Sequence, residues 1–167
     1  MHVHKTAEER HDMVSEGKKA PNIKLTDADG VLVELSKLKG SPVVVYFYPK
    51  DDTSGCTKEA LDFSSQISEF DGAGAIVLGI SPDSEKSHKK FTEKHDLNLR
   101  LLADTDKKAA DASEVWVEKS MYGRKYMGVE RSTFLIDKTG KLARVWRKVK
   151  VPGHVAEVLA AVKNLAG

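Results

Sequence analysis

The residue best suited to chemistry in this sequence is Cys56, the only cysteine among its 167 residues. Thr53 and Pro49 precede it in the same short segment. The thiolate form of cysteine is a strong nucleophile, and a threonine hydroxyl both donates and accepts hydrogen bonds. An isolated cysteine is more often a small buried hydrophobic residue. The hydroxyl and the rigid proline beside Cys56 instead indicate nucleophilic sulfur chemistry.

The segments on either side of Cys56 predict how it is held. Val43–Tyr48 is an unbroken run of β-branched and aromatic residues, which is typical of a strand buried on both faces. Thr57–Phe70 carries apolar residues at helical spacing. Cys56 therefore lies between a strand and the first turn of a helix, where unpaired N–H groups and the helix dipole stabilise a thiolate. Open α/β sheets bind ligands beyond the carboxyl ends of such strands.

The remaining patterns predict one α/β domain. The expected elements are a β-hairpin of Ile23–Thr26 and Val31–Leu35, a helical turn at Ser36–Leu38, a strand at Ala75–Ile80, a helix capped by Ser84 that runs to His95, a strand at Leu99–Ala103, a short helix at Asp106–Ala112, strands at Thr133–Asp137 and Leu142–Val149, and a closing helix from Val155 to Leu165. Alternating strands and helices favour a mostly parallel sheet, to which the late hairpin adds an antiparallel edge. We therefore expect a thioredoxin-like fold, with a central mixed sheet flanked by helices and an N-terminal β-hairpin.

Composition and charge exclude several kinds of partner. The formal net charge of +2 is too small to imply nucleic-acid binding. No apolar run approaches the ~20 residues of a membrane span, so no membrane contact is expected. Gly72 and Gly74 precede the predicted strand at Ala75–Ile80, and Gly79 lies within it. None of them follows a strand into a helix, unlike the glycines of a dinucleotide-binding loop. His88, His95 and His154 are too scattered to nominate a metal site, and the histidines of the first residues, His2, His4 and His11, lack carboxylate or thiolate partners. We expect neither a cofactor nor a metal ion.

The N-terminal residues carry different signals from the rest of the chain. Residues 1–15 show no apolar period and are expected to form a flexible arm, whereas 16–167 are expected to form the single domain. The first residues also lack the apolar segment of a secretory signal. A lone cysteine cannot form an internal disulfide, which points to a reducing compartment. The expected location is therefore the cytoplasm.

The segment around Cys56 resembles the active-site segment of peroxiredoxins. It contains their P-x-x-x-T-x-x-C signature as Pro49, Thr53 and Cys56. Within that family the chain is similar to the bacterioferritin comigratory protein (PrxQ) group, and the similarity extends over roughly residues 16–165. A hydroxyl beside a thiol suits a peroxide, because one oxygen is attacked while the other leaves as a hydroxide-like species.

The resemblance implies further site residues and a catalytic cycle. Arg131, immediately before Ser132–Asp137, matches the family arginine that stabilises the thiolate and the charge developing on the peroxide oxygens. Glu59 matches the acidic residue that orients this arginine, although a first-turn glutamate is also favoured by the helix dipole alone. The Cys56 thiolate is expected to attack the peroxide and become a sulfenic acid.

The sequence departs from many members of this group, because it has no second, resolving cysteine. Their resolving positions correspond here to Leu61 and Thr92. We therefore expect a thiol peroxidase that reduces hydrogen peroxide and organic hydroperoxides, and that is recycled by an external thiol: thioredoxin, glutaredoxin or glutathione. A monomer or weak homodimer is expected.

Two other classes of function remain open from the sequence. Oxidation of Cys56 could make the chain a peroxide-sensing redox switch or partner-binding protein, and the fold could serve as a chaperone-like surface without turnover. Thr53 and Arg131 argue against both, because neither residue is needed merely for a cysteine to be oxidised.

Overall fold

The structure, a computed structural model, describes residues 14–166, so residues 1–13 of the predicted arm lie outside the described residues. Val14 is buried in the core. The described elements are β1 (Lys24–Asp27), β2 (Leu32–Glu34), a 3-10 helix (Leu35–Leu38), β3 (Val43–Phe47), α1 (Ser54–Ser65), α2 (Ile67–Gly72), β4 (Ile76–Ser81), α3 (Glu85–His95), β5 (Arg100–Ala103), α4 (Lys108–Ala112), β6 (Trp116–Met121), β7 (Arg124–Val129), β8 (Ser132–Ile136), β9 (Leu142–Trp146) and α5 (His154–Ala166). None of the described helices has the length and apolar character needed to cross a membrane.

Seven of the strands form one mixed sheet in the order β2-β1-β5-β4-β3-β8-β9. Strands β3, β4 and β5 run parallel, whereas β1 and β8 pair antiparallel with their neighbours on the two sides. The predicted mixed sheet and N-terminal hairpin are confirmed. The expectation of a mostly parallel sheet is wrong: only the three central strands run parallel, because hairpins supply the strands on both sides of them.

Strand β3 separates two hydrophobic cores. All five of its side chains are buried, and they alternate between the two faces of the sheet, as the period of a strand requires. Val44 and Tyr46 pack with Phe63 of α1 and with α5. Val45 and Phe47 pack on the opposite face, which α4 covers. Both faces being covered explains why this strand is apolar throughout.

The segment after Cys56 forms two helices and not one. The prediction of a single helix over Thr57–Phe70 is wrong, because the helix begins at Ser54, ends at Ser65 and is followed by a second helix from Ile67. The Ser65 hydroxyl donates to the Asp62 carbonyl, which competes with regular helical bonding at this point. The early start places Cys56 inside the first turn.

Strands β6 and β7 form a separate two-stranded hairpin that no pattern in the sequence predicts. Met121, Tyr126 and Met127 are exposed, and Tyr122 at the turn is 98% exposed. A strand is recognised in a sequence by alternation between a buried and a polar face. This hairpin lacks that alternation, because most of its side chains are not buried.

Gly79 lies where β4 passes beneath an aromatic ring. It pairs with Tyr46 of β3, and a Cβ at Gly79 would lie only 2.7 Å from Tyr46 Cζ and 2.8 Å from Leu101 Cδ2. The glycine leaves room for Tyr46, whose ring stacks on Phe63 of α1 with a centroid distance of 4.5 Å.

Candidate active site

Cys56 lies at the start of α1, just beyond the carboxyl end of the central strand β3. The residue before the helix is Thr53, whose carbonyl accepts the bond from the Thr57 N–H at 2.8 Å. The first turn of a helix has backbone N–H groups without helical partners and a partial positive charge. The thiol is free, and the residue is only 1% exposed. The predicted position at a strand-to-helix junction is confirmed.

Arg131 reaches Cys56 because of one strand pairing. Ser132, the first residue of β8, pairs with Phe47, the last residue of β3, so the residue before β8 lies next to the end of β3. Arg131 Nη2 donates to Cys56 Sγ at 3.3 Å, and Arg131 Nη1 donates to Glu59 Oε1 at 2.6 Å. One guanidinium thus bridges the sulfur and a carboxylate, as its planar set of donors allows.

Glu59 is fully buried in the second turn of α1. The first turn holds no acidic residue, so the expected first-turn position of Glu59 is wrong, because the helix begins at Ser54. Burial raises the pKa of Glu59 to about 7, and the Arg131 charge opposes this rise only in part. Its second oxygen, Oε2, has no hydrogen-bond partner among the described residues. Burial of Arg131 disfavours its charge, but Glu59 and Cys56 outweigh that effect and raise the pKa of Arg131. The guanidinium therefore stays positive beside the sulfur.

Thr53 and Pro49 lie on the loop that joins β3 to α1. The Thr53 hydroxyl does not cap the helix; it donates to the carbonyl of Lys50 at 2.9 Å. Because its proton is engaged, the exposed hydroxyl offers its lone pairs to a donor from solution. Pro49 is half-buried at the start of the loop.

Gly55 belongs to the site although the sequence did not nominate it. A Cβ at this position would lie 3.3 Å from Arg131 Nη2, so the missing side chain leaves space for the guanidinium. The signal in the sequence was only its place beside Cys56. The geometry adds the reason for a glycine there.

A second group of buried polar residues, on the other side of the loop, was also missed. His88 Nδ1 lies 2.8 Å from Asp51 Oδ2, and the Tyr48 hydroxyl donates to Asp51 Oδ1 at 2.6 Å. The spacing of His88 from the buried Phe91 on α3 could have indicated an inward-facing histidine. Asp51, Asp83 and His88 bring one potential ligand atom each within 4.8 Å of one another, and hydrogen bonds already engage these atoms.

Lys119 brings another positive charge towards the site from the β6–β7 hairpin. Its stem crosses Gly128 of β7, where a Cβ would lie 3.2 Å from Lys119 Cδ. Burial lowers the pKa of Lys119, and the charge of Arg131 lowers it further. The hairpin therefore borders the active site on the side of Arg131.

Comparisons with known proteins agree with this geometry. The AhpC/TSA family model matches residues 16–145. Peroxiredoxin Bcp of Bacillus subtilis (strain 168) is 51% identical over 150 residues, which cover 90% of this chain and 96% of that protein. A putative peroxiredoxin bcp of Coxiella burnetii is 50% identical over 143 residues, which cover 86% of this chain and 95% of that protein.

Solved structures lead to the same family. The bacterioferritin comigratory protein of Xanthomonas campestris, described with alkyl peroxide reduction activity, matches with a TM-score of 0.83 and 46% identity, over 87% of this chain and 92% of that one. A cysteine-to-serine mutant of Xylella fastidiosa PrxQ matches with a TM-score of 0.87 and 39% identity, over 92% and 98%. The chain belongs to the AhpC/TSA family and, within it, to the peroxiredoxins of the Bcp (PrxQ) group, and it is a thiol peroxidase.

Proposed function

We propose that Cys56 is the peroxidatic cysteine and that Thr53, Pro49, Arg131 and Glu59 complete its site. The observation that carries this proposal is the Arg131 guanidinium, which binds Cys56 Sγ and Glu59 Oε1 at the same time. Two donors on one rigid group place positive charge where a thiolate forms and where a peroxide oxygen becomes negative.

In the first half-reaction the Cys56 thiolate attacks the terminal oxygen of a hydroperoxide. An S–O bond forms, the O–O bond breaks, and the leaving alkoxide or hydroxide takes a proton to become an alcohol or water. The sulfur is oxidised to a sulfenic acid. Arg131 stabilises the charge on the leaving oxygen, while Thr53 accepts the peroxide O–H through its free lone pairs.

In the second half-reaction an external thiol reduces the sulfenic acid. The thiol sulfur attacks Cys56 Sγ and releases water, and a second thiol then cleaves the mixed disulfide and returns Cys56 to the thiol. The chain has no other cysteine, so both reducing thiols come from other molecules. Thioredoxin, glutaredoxin and glutathione are the candidate reductants. Because Cys56 is 1% exposed, the first turn of α1 opens before the thiol reaches it.

The wider assignments follow from this cycle. Hydrogen peroxide and organic hydroperoxides are the proposed substrates, supported by the alkyl peroxide reduction of the Xanthomonas campestris relative. Dependence on an external thiol suits the reducing cytoplasm. Both hydrophobic cores share one sheet, which supports a single domain over residues 16–167. The relatives named as peroxiredoxins do not favour a redox switch without turnover.

Stopped-flow measurement of hydrogen peroxide consumption by the reduced protein tests the proposal. We expect a second-order rate constant far above that of a free thiol, and mass spectrometry is expected to find the added oxygen on Cys56. Cys56→Ser removes the nucleophile and is expected to abolish the reaction. A wild-type rate equal to that of a free thiol would refute the proposed function. Adding each candidate thiol to the oxidised protein identifies the reductant by the mixed disulfide formed.

A further inference from the structure

A buried polar network joins the active-site loop to helix α3. Asp51 is 7% exposed and His88 is fully buried. Asp51 Oδ2 accepts from His88 Nδ1 and from the Ser87 hydroxyl, both at 2.8 Å, and Asp51 Oδ1 accepts from the Tyr48 hydroxyl at 2.6 Å. The other ring nitrogen of His88, Nε2, lies 2.9 Å from the Leu102 carbonyl oxygen. A single loop carboxylate thus accepts hydrogen bonds from Tyr48, which directly follows β3, and from two residues of α3.

The network continues along the backbone towards Cys56. The N–H of Asp51 donates to Asp83 Oδ2 at 2.9 Å, so the main chain of the loop is held as well as the side chain. The Thr53 hydroxyl then binds the Lys50 carbonyl, and the Thr53 carbonyl accepts the first helical bond from Thr57. Fixing Asp51 therefore fixes the turn that begins α1.

The same atoms do not favour a cation site. Asp83 Oδ2 accepts from the Ser81 hydroxyl and from the N–H of Asp51. Both nitrogens of His88 already bind oxygens. A metal ion would displace hydrogen bonds that satisfy groups at a buried position, and buried polar groups are costly when left unpaired. The network is complete without an ion.

We infer that Asp51 and His88 are positioning residues that hold the loop between β3 and α1 in the conformation in which Thr53 and Cys56 meet the peroxide. This inference rests on the proposed role of Cys56. Neither residue contacts the sulfur. Their effect on the reaction passes through the loop backbone, and a small displacement of reacting groups lowers an enzymatic rate strongly.

Two substitutions of His88 separate its bonds. Asparagine places an amide nitrogen near the position of Nδ1 and keeps the bond to Asp51, whereas glutamine places it near Nε2 and keeps the bond to Leu102. We expect His88→Gln to lower the second-order rate with hydrogen peroxide by about tenfold to a hundredfold. We expect His88→Asn to stay within about threefold of the wild type, because the bond to Asp51 is kept and only the bond to the Leu102 carbonyl is lost.

Alkylation of Cys56 by iodoacetamide provides a second measurement, which distinguishes a displaced loop from a general loss of stability. Cys56 is 1% exposed in the closed site, so a displaced loop is expected to speed alkylation in His88→Gln while peroxide reduction slows. Loss of global stability alone would lower the melting temperature of both variants without this opposite change. Circular dichroism and the melting temperature are recorded for each variant.

Asp52→Asn is the matched control. Asp52 is the neighbour of Asp51 and also binds α3, through Lys94 at 2.6 Å and His95 at 2.8 Å, but its side chain is 42% exposed. Exposed ion pairs contribute little, so a change of less than about twofold in the peroxide rate is expected. Should His88→Gln fail to fold, Tyr48→Phe removes one hydroxyl bond to Asp51 and is expected to slow the reaction by about fivefold.

The outcomes are separable. A fast wild type with an equally fast, folded His88→Gln overturns this inference and leaves the proposed function intact. So does a His88→Asn variant as slow as His88→Gln, or an unchanged Tyr48→Phe. A wild type no faster than a free thiol overturns the proposed function itself.

Discussion

Two buried carboxylates, Asp51 and Glu59, lie before and after Cys56 in the chain, and their hydrogen bonds are satisfied to different degrees. Both oxygens of Asp51 accept hydrogen bonds from side chains. Glu59 binds Arg131 through one oxygen, while the other has no hydrogen-bond partner among the described residues. Both carboxylates belong to the same short strand–loop–helix segment.

This difference gives the two carboxylates different roles. Asp51 holds the site in place, whereas Glu59 can change its charge. A fully bonded carboxylate resists movement, because every displacement breaks a bond at a buried position. A partly bonded, desolvated carboxylate such as Glu59 has its pKa raised to about 7, where its charge responds to small changes of pH. Glu59 is joined to the Cys56 sulfur through Arg131. Asp51 is joined instead to Tyr48 and to helix α3.

The largest expected effect is on the reactive side, at Arg131. Arg131→Lys keeps a positive charge but cannot bind Cys56 and Glu59 together in the geometry of a guanidinium. We expect the peroxide rate to fall by about a hundredfold to a thousandfold, measured by stopped flow. Arg144→Lys is the control, because Arg144 is exposed and stacks on Trp146. A wild-type rate in Arg131→Lys would mean that charge alone, and not the bridge, matters.

The next effect concerns the stability of the fold and tests the unbonded oxygen of Glu59. Because the pKa of Glu59 is raised from 4.5 to about 7 by burial, the folded state binds a proton that the unfolded state releases. Its stabilising contribution is complete below pH 4.5 and is lost as the pH rises through about 7. Glu59→Gln cannot titrate, so the free energy of unfolding of the wild type is expected to fall relative to the variant by about 3 kcal/mol across this range.

Urea unfolding at a series of pH values measures this difference. Glu69→Gln, at an exposed position on α2, serves as the control and should follow the wild type. Parallel curves for the wild type and Glu59→Gln would show that Glu59 does not titrate in this window, and the contrast with Asp51 would then disappear.

A smaller effect is expected at Thr53, on the loop between the two carboxylates. Thr53→Val keeps the shape and removes the hydroxyl, so we expect the peroxide rate to fall by about tenfold, the loss of one hydrogen bond in the transition state. Thr53→Ser retains the hydroxyl and is expected to remain within about twofold. Equal rates for Thr53→Val and Thr53→Ser would show that Thr53 contributes only to the structure of the loop.

The smallest effect is expected at Gly55. A methyl group there would lie 3.3 Å from Arg131 Nη2, so the guanidinium would have to shift by a few tenths of an ångström. We expect Gly55→Ala to lower the peroxide rate by about threefold, without a comparable loss of melting temperature. A rate equal to that of the wild type would show that Arg131 has freedom to adjust while still bridging Cys56 and Glu59.

Much of the frame around Cys56 could be predicted from local patterns. The apolar run Val43–Tyr48 predicts a buried strand, and all side chains of β3 are buried. Ser84 is predicted to cap a helix, and its hydroxyl accepts the Ser87 N–H. Such signals are contained within a few neighbouring residues. The break at Gln66 was missed, because apolar spacing continues through it.

The partners of Cys56 needed more than local pattern. Arg131 is 75 residues away along the chain, and only the pairing of β8 with β3 brings it close. The resemblance to peroxiredoxins supplied Arg131 and Glu59, whereas composition and periodicity did not. His88 and Asp51 were missed because a contact between side chains from a loop and a helix leaves no periodic signal. The exposed β6–β7 hairpin was missed because strands are recognised in a sequence by the alternation of apolar buried residues with polar ones. Most side chains of this hairpin are not buried.

Gly79 connects the middle of the sheet to the active-site helix by contact alone. Any side chain there would press on Tyr46 Cζ, and the Tyr46 ring lies against Phe63, which shares α1 with Cys56. A methyl group added at Gly79 would therefore displace the Tyr46 ring, and through Phe63 it would shift the helix that carries Cys56. Random mutagenesis scored by peroxide survival would find this strand position nearly as intolerant as the signature residues themselves, although it touches no substrate.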